Sequence, residues 1–311
     1  MSQKTKNTMR IKYIFIGKEG RLMLAWRILL YLIAIIFIAA TVPKLVVFPI
    51  STKFPLGAQL VSVLLSIIAT LGITYLFRKF IDKRDWAGMA LPKPSGVTVR
   101  NLMLGFMIGT AMLLLVFGIE VMANWVRVVG TELDVSTVPQ VAAYLTVGLI
   151  SFFAVGFLEE LMMRGYIFQN LGEKYTIGLA ALINALLFGL MHSGNAGFSV
   201  TFLLSAMMLT LFLTISRLLT GSIWWAIGWH TAWNWWQTTV LGLSEVNTPD
   251  YHHAFLHLSQ KGPNLMVGIA PSIEGGLLIA VIISLAAMFA FTRLPSRKIW
   301  RMRLSEKGTT L

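Results

Sequence analysis

The amino-acid sequence predicts an all-α, polytopic membrane protein with about eight transmembrane helices packed in one bundle. Hydrophobic residues make up 56% of the 311-residue chain, and charged residues only 13%. A water-soluble globule of this size needs far more polar surface than these residues provide. Apolar runs of roughly 20 residues, enough to cross about 30 Å of hydrocarbon, recur along the chain. Lipid is therefore the expected solvent for most of the molecule.

Eight apolar stretches define the predicted crossings, and no soluble domain of useful size fits between them. They lie at about 23–49, 57–77, 101–124, 141–171, 177–193, 198–217, 222–242 and 272–292. An even number of crossings places both termini on the same side of the membrane. The 243–271 segment contains Pro249, Pro263 and Pro271, so we expect an irregular outer loop there rather than another crossing.

The distribution of basic residues predicts the orientation. The net charge of +13 comes mainly from residues before the first apolar run, from the stretch Arg78 to Arg100, and from the C-terminal tail. The positive-inside rule makes all three groups cytoplasmic, which agrees with the helix count and places both termini inside. Topology and attraction to anionic lipid each suffice to explain these charges, and no nucleic-acid module accompanies them. We expect a multi-pass protein of a bacterial cytoplasmic (inner) membrane, with no nucleic-acid partner.

The chain divides into three parts. Residues 1–140 comprise a basic segment and three predicted crossings without a motif, residues 141–292 contain five crossings with the notable polar residues, and residues 293–311 form a basic cytoplasmic tail. The chain has no cysteine, which excludes disulfides, thiolate metal sites and cysteine nucleophiles. Any chemistry must use other side chains.

Ionisable residues inside apolar runs indicate the candidate site, because each costs roughly 2.5 to 3.5 kcal/mol at membrane depth. Glu159, Glu160 and Arg164 interrupt one otherwise apolar helix. Glu160 and Arg164 are four residues apart and share a helix face, which predicts an ion pair. Glu159 lies about 100° around the helix and lacks an arginine at that spacing. Glu159 is therefore the better candidate for a reactive carboxylate.

Two histidines lie on other crossings. A predicted hairpin around 172–176 brings Glu159 and His192 to within about 4 to 5 Å of the same depth, counted at 1.5 Å per residue. His230 and Asn234 are four apart and share a face of the seventh crossing. By the same count His230 is several residues shallower than Glu159, so their meeting depends on helix tilt or irregular helix ends.

Three short motifs, in this order and each in an apolar helix, resemble those of the CPBP family of intramembrane proteases. That family, also called the Abi family, includes the type II CAAX prenyl endopeptidases and bacterial proteins linked to bacteriocin immunity or processing. The resemblance covers about 141–292. The motifs are E-E-x-x-x-R at Glu159, Glu160 and Arg164, F-x-x-x-H at Phe188 and His192, and H-x-x-x-N at His230 and Asn234, followed by Glu274-Gly275-Gly276 at the start of the last crossing.

The resemblance implies an intramembrane endopeptidase that cleaves a membrane-associated or lipid-modified peptide or protein in the bilayer. Glu159 with His192 would activate a water for attack on a peptide carbonyl, and His230 with Asn234 would stabilise the oxyanion. Glu160, Arg164 and Phe188 would support this arrangement. Prenylated proteins are the substrates of the eukaryotic relatives, but nothing in this sequence indicates prenylation in its host.

Four alternatives remain. Two histidines and a glutamate could bind zinc, but H-E-x-x-H is absent and the family resembles a glutamate-based protease more closely, so we expect no cofactor and no metal. The chain could be a noncatalytic scaffold or bacteriocin-immunity protein, or the polar cluster could simply lock helices together. A transporter is disfavoured because paired repeats are absent.

A second histidine pair, His253 and His257, is expected on a solvated outer loop, since no carboxylate within that cluster completes a metal site.

Overall fold

A computed structural model describes residues 15–17, 20–195, 197–243, 254–268, 273–295 and 297–305. Each of the eight apolar stretches contains a helix. These helices are α1 Leu24–Ser51, α2 Pro55–Ile81, α3 Gly96–Met122, α4 Val138–Lys174, α5 Ile177–Met191, α6 Val200–Thr220, α7 Trp224–Asn234, which continues as a π-helical segment Trp235–Val240, and α8 Leu277–Thr292.

Five of these helices, α1, α2, α3, α4 and α6, are long and apolar enough to cross a membrane. Helices α5 and α8 are apolar but have only 15 and 16 residues. Fifteen residues rise about 22 Å, which is less than the roughly 30 Å of a hydrocarbon core. The predicted helical, multi-pass membrane architecture is confirmed. The count of eight crossings, the cytoplasmic termini and the division at 140/141 and 292/293 stay predictions.

Helix α4 is the central element of the bundle. Every residue from Glu160 to Gly172 is buried, and apolar members of this run form the middle of the larger hydrophobic core. The outer helices α1 to α3 instead present large apolar side chains on the molecular surface, among them Phe48, Leu64 and Met107. An apolar exterior around a packed centre is the arrangement expected when lipid is the solvent.

Glycines bring α7 close to two other helices. A Cβ atom at Gly105 of α3 would overlap the carbonyl oxygen of Trp225, and one at Gly228 of α7 would overlap the carbonyl oxygen of Leu102. At Gly156 of α4 a Cβ would lie 3.2 Å from Thr231 Oγ1. Small residues permit such close backbone approach in membrane bundles. The seventh helix is therefore fixed against α3 on one side and α4 on the other.

Short caps and turns set the helix limits near the site. Ser95 begins α3 by accepting a hydrogen bond from the Thr98 backbone N–H at 3.3 Å, and Ser199 begins α6 by accepting from Phe202 N–H at 3.1 Å. Gly221, at φ +65°, ends α6. The predicted hairpin is confirmed, because α4 ends at Lys174 and α5 begins at Ile177.

The prediction of an irregular loop over 243–271 is wrong for residues 256–260. Strand β2, Leu256–Gln260, pairs antiparallel with β1, Val126–Thr131, with a bulge between Val128 and Gly130. The strand was missed because its partner lies over 120 residues earlier in the chain. His257 on β2 places Nε2 3.1 Å from Glu132 Oε2, whereas His253, Pro249 and Pro271 lie outside the described residues.

Candidate active site

One cavity brings together all four residues that the motifs predict to be catalytic. Its volume is about 110 Å³, and Glu159 of α4, His192 after α5, and His230 and Asn234 of α7 line it. Glu159 keeps 23% of its side chain exposed, whereas Glu160 is fully buried. The two neighbouring carboxylates therefore have different surroundings, as their positions around the helix predict.

The Glu160 carboxylate is held by two donors. Arg164 Nη1 lies 3.0 Å from Glu160 Oε1, so the ion pair expected from the spacing of four residues is present. His230 Nδ1 lies 2.9 Å from the same oxygen. The Arg164 guanidinium also lies over the Phe188 ring, 4.9 Å from its centroid. The supporting residues of the first two motifs are thus in contact with each other.

His230 lies between the two carboxylates. Its Nδ1 faces Glu160, and its Nε2 is 3.7 Å from Glu159 Oε2. An ionised carboxylate can only accept a hydrogen bond, so Nδ1 of His230 is a donor. This contact of His230 with both carboxylates, the His230 bridge, was not predicted, since the motifs associate Glu159 with His192. It gives the seventh helix a direct link to both glutamates of α4.

His192 occupies the first position after α5, where the backbone leaves the helix at φ −92° and ψ 5°. Its Nδ1 is 2.8 Å from the carbonyl oxygen of Phe188. Because a carbonyl only accepts, Nδ1 of His192 donates the hydrogen bond, and in the singly protonated ring Nε2 then carries the lone pair. The His192 and Phe188 rings also pack at 4.7 Å between centroids. The spacing of the second motif thus fixes both the orientation and the tautomer of His192.

The helices α4 and α7 both change their winding at their motifs, and the π-helical segment of α4 includes Arg164. Helix α4 becomes π-helical over Leu161–Ile167, which follows Glu160, and α7 becomes π-helical over Trp235–Val240, which follows Asn234. A π-helical turn contains an extra residue and recurs at functional sites. The depth count left helix tilt or irregular helix ends as the ways for His230 to meet Glu159, and the structure shows irregular winding inside α4 and at the end of α7.

A family model described as "Rce1-like: Type II CAAX prenyl endopeptidase Rce1-like" matches residues 141–236. Over this segment the chain is similar to the CAAX-protease (CPBP) family. The match begins in α4 and ends two residues after Asn234, so all three motifs lie within it and the predicted resemblance is confirmed over these residues. Its extension to residue 292, with Glu274-Gly275-Gly276, stays a prediction. No curated protein and no solved structure matches the chain. This similarity, together with the apolar helices, supports a membrane-embedded protease.

Several residues of the candidate active-site cavity carry polar groups that the three motifs do not include. Ser205 of α6 and Trp233 of α7 line the cavity, and neither Ser205 Oγ nor Trp233 Nε1 has a hydrogen-bond partner among the described residues. Glu274 also lines it and accepts a hydrogen bond from Gln237 Nε2 at 2.5 Å. A serine in an apolar helix was the only sequence signal for Ser205, and it is too common to be specific.

Among the described residues, the donors around the candidate active-site cavity are not grouped as metal ligands. Within the part of the chain that the structure describes, no group of three or more histidine, aspartate or glutamate side chains is arranged to hold an ion. His230 directs Nδ1 to Glu160 and His192 directs Nδ1 to a backbone carbonyl, which leaves one nitrogen on each ring for the cavity. Metal dependence stays a matter for experiment.

Proposed function

We propose that the protein is an intramembrane endopeptidase that hydrolyses a peptide bond of a membrane-associated or lipid-modified substrate. The observation that carries this proposal is the convergence of Glu159, His192 and His230 on one small cavity inside a helical bundle. The volume of about 110 Å³ suits a few water molecules, since each occupies about 30 Å³ in the liquid. The substrate must therefore present an exposed peptide bond to this cavity rather than a folded helix.

Glu159 is the proposed general base. Glu160 already accepts hydrogen bonds from Arg164 and His230, whereas Glu159 is partly exposed to the cavity and has no arginine partner in the described chain. The Glu159 carboxylate takes one proton from a water, and the water oxygen bonds to the carbonyl carbon. The carbonyl π electrons move to its oxygen. When the C–N bond breaks, its electron pair stays on the nitrogen, which receives the proton from Glu159.

His192 assists by orienting the attacking water. Its Nδ1–H donates a hydrogen bond to the Phe188 carbonyl oxygen. The lone pair on Nε2 is therefore the acceptor that faces the cavity. A water held between Glu159 and His192 has two acceptors for its two protons. This arrangement directs an oxygen lone pair of the water toward the substrate carbonyl.

His230 and Asn234 are the proposed oxyanion donors. His230 uses Nδ1 to donate to Glu160, so donation from Nε2 to an oxyanion requires the doubly protonated ring, and carboxylates flank both of its nitrogens. Asn234, one helical turn later, offers its side-chain amide to the same cavity. Donors fixed before the reaction stabilise the developing negative charge without reorganisation.

The substrate backbone has further partners in the cavity. Ser205 Oγ and Trp233 Nε1 are buried donors without a partner among the described residues, and an unmade buried hydrogen bond is costly. A substrate carbonyl next to the scissile bond would satisfy one of them. We assign these two residues to substrate positioning.

The decisive experiment compares membrane-peptide termini in cells that express the wild-type protein, Glu159→Ala, or the control Val155→Ala. Val155 lies one turn before Glu159 and is exposed on the outer surface. Peptide termini that are present with the wild type and with Val155→Ala, and absent with Glu159→Ala, identify substrates. Identical peptide profiles with all three proteins, together with a retained cellular phenotype, would instead support a noncatalytic scaffold or immunity protein.

Chelation tests whether the protease is of the glutamate type. We expect purified protein that has been treated with a strong chelator and shown to be metal-free to keep its cleavage rate, because the proposed proton transfers use only side chains and water. Loss of cleavage after chelation, with recovery on addition of Zn²⁺, would assign the protein to the metalloproteases.

A further inference from the structure

A second and larger cavity lies at the other end of helix α4. Its volume is about 600 Å³, and it forms where the segment before α1, the end of α4 and the C-terminal tail meet. Glu173 is the one carboxylate among its lining residues, all of which belong to the described chain. Five cationic side chains line the same cavity: Arg21, Arg27, Arg84, Lys174 and Arg303. It is separate from the candidate active site, since Lys174 follows Glu159 by 15 residues, or about 22 Å of helix.

The inner wall of this basic cavity is already neutralised. Arg27 Nη1 lies 2.7 Å from both Asp82 Oδ1 and Asn170 Oδ1, and Asn170 Nδ2 donates to Asp82 Oδ2 at 3.0 Å. Arg78, behind the wall, pairs with Glu173 at 2.9 Å and with Asp82 at 3.5 Å. Six cations thus face two carboxylates, Asp82 and Glu173. Arg84 Nε also lies 3.6 Å from Glu173 Oε2, whereas Lys174 and Arg303 make no ion pair among the described residues.

The remaining wall is apolar and leads to the surface. Leu22, Met23 and Leu24 line the basic cavity, and Met23 is exposed. Helix α1 continues from them with Leu29, Leu30 and Ile33 exposed along its outer face. A ligand in this cavity therefore meets cations at one end and an apolar helix surface at the other.

We propose that the basic cavity binds the phosphate-bearing headgroup of an anionic lipid, with the acyl chains lying against α1. Arginine guanidinium groups match phosphate oxygens with paired N–H donors, and basic pockets at the cytoplasmic side of membrane helices favour anionic headgroups. Soluble phosphate offers the same chemistry without acyl chains. The apolar wall beside the cations favours the lipid.

The bound headgroup would connect both ends of the chain to α4. Leu304 N–H donates to the Gly172 carbonyl at 2.9 Å, and Gln169 Nε2 donates to the Ser305 carbonyl at 2.7 Å, so the tail is docked on α4 next to the cavity. Arg21 and Arg303 approach the cavity from opposite ends of the sequence. Lipid binding should therefore raise the unfolding temperature of the protein.

The test uses the full-length protein in neutral detergent, with binding measured by native mass spectrometry and thermal unfolding measured in parallel. The probes are phosphatidylglycerol, phosphatidylcholine and inorganic phosphate. The variant Lys174→Gln/Arg303→Gln removes two exposed cavity cations, and Lys93→Gln/Arg100→Gln removes two exposed cations outside the cavity. Neither pair belongs to the candidate active site.

We expect phosphatidylglycerol to bind the wild type at least tenfold more tightly than phosphatidylcholine does, and to raise its unfolding temperature. The Lys174→Gln/Arg303→Gln variant should lose roughly tenfold in affinity, and the control variant should keep it. Inorganic phosphate that stabilises the wild type alone and displaces the lipid would assign the same site to soluble phosphate. Equal binding of the two lipids, or equal losses in both variants, would overturn the proposal.

Discussion

The two cavities along helix α4 differ in how far their charged side chains are paired with opposite charges. In the middle of the helix, the two motif carboxylates lie within 4 Å of cationic or titratable partners: Arg164 and His230 contact Glu160, and His230 lies beside Glu159. At the end of the helix, five cations line a cavity with one carboxylate. The first cavity holds about 110 Å³ and the second about 600 Å³.

The expected depth of each cavity in the membrane explains this difference in charge pairing. Unpaired charge in hydrocarbon is expensive, whereas water and headgroups at the membrane surface stabilise an excess of one sign. A charge in the central cavity must therefore be paired or be retained for chemistry. The exposed cations Lys174 and Arg303 of the outer cavity need neither, so their loss should alter ligand binding and little else.

The largest expected effect is on turnover in Glu159→Gln. The amide keeps the size of the carboxylate but cannot take a proton, so we expect cleavage to fall by about 10²- to 10⁴-fold. Glu159 is not part of the Glu160–Arg164 ion pair, so the unfolding temperature should change little. Cleavage assays and thermal unfolding on the same preparation measure both effects. Wild-type turnover in this variant would remove Glu159 from the mechanism.

The next effect is on stability in Arg164→Met. This change leaves Glu160 buried with only His230 as a donor, and breaking a buried ion pair costs about 3 to 5 kcal/mol. The double variant Glu160→Leu/Arg164→Met removes both charges and should recover part of that loss while remaining inactive. Chemical unfolding in detergent measures the difference. A loss below about 1 kcal/mol in Arg164→Met would show that water reaches the pair.

The sequence predicts the central cavity far better than the outer one. Spacing of four residues predicts the Glu160–Arg164 pair, and depth counting predicts that Glu159 and His192 meet, because both rest on helix geometry within one element or one hairpin. The His230 bridge to Glu160 was missed because it joins residues 70 apart in the chain. Its geometry depends on the glycine contacts of α7 and on two π-helical segments, which apolar periodicity does not reveal.

The outer cavity was missed for a related reason. Arg21, Arg84 and Arg303 belong to three separate basic groups in the sequence that topology alone explains, and nothing in a single chain shows that they converge. Their convergence follows from docking of the tail on α4 through backbone hydrogen bonds, which any sequence can make. The positive-inside rule predicts their side of the membrane but not their neighbours.

A smaller effect is expected for Ser205→Ala, which removes one proposed positioning donor from the central cavity. Ser205 Oγ has no partner among the side chains and backbone groups described, so its removal should leave stability unchanged. Loss of one neutral hydrogen bond to substrate costs about 0.5 to 1.5 kcal/mol, or up to roughly tenfold in kcat/KM. Steady-state kinetics on an identified substrate measure this. An unchanged kcat/KM, with Ser205→Thr also unchanged, would exclude a role in positioning.

The smallest effect is expected in the Lys174→Gln/Arg303→Gln variant when no lipid is present. Both side chains are exposed, and surface substitutions of this kind usually change the free energy of unfolding by no more than about 0.5 kcal/mol. Removing two charges here should thus cost far less than removing one at Arg164, although both positions belong to the same helix or dock on it. Chemical unfolding after exhaustive delipidation measures the difference. A loss as large as that of Arg164→Met would mean that the outer cations hold the bundle together, and the contrast between the two cavities would disappear.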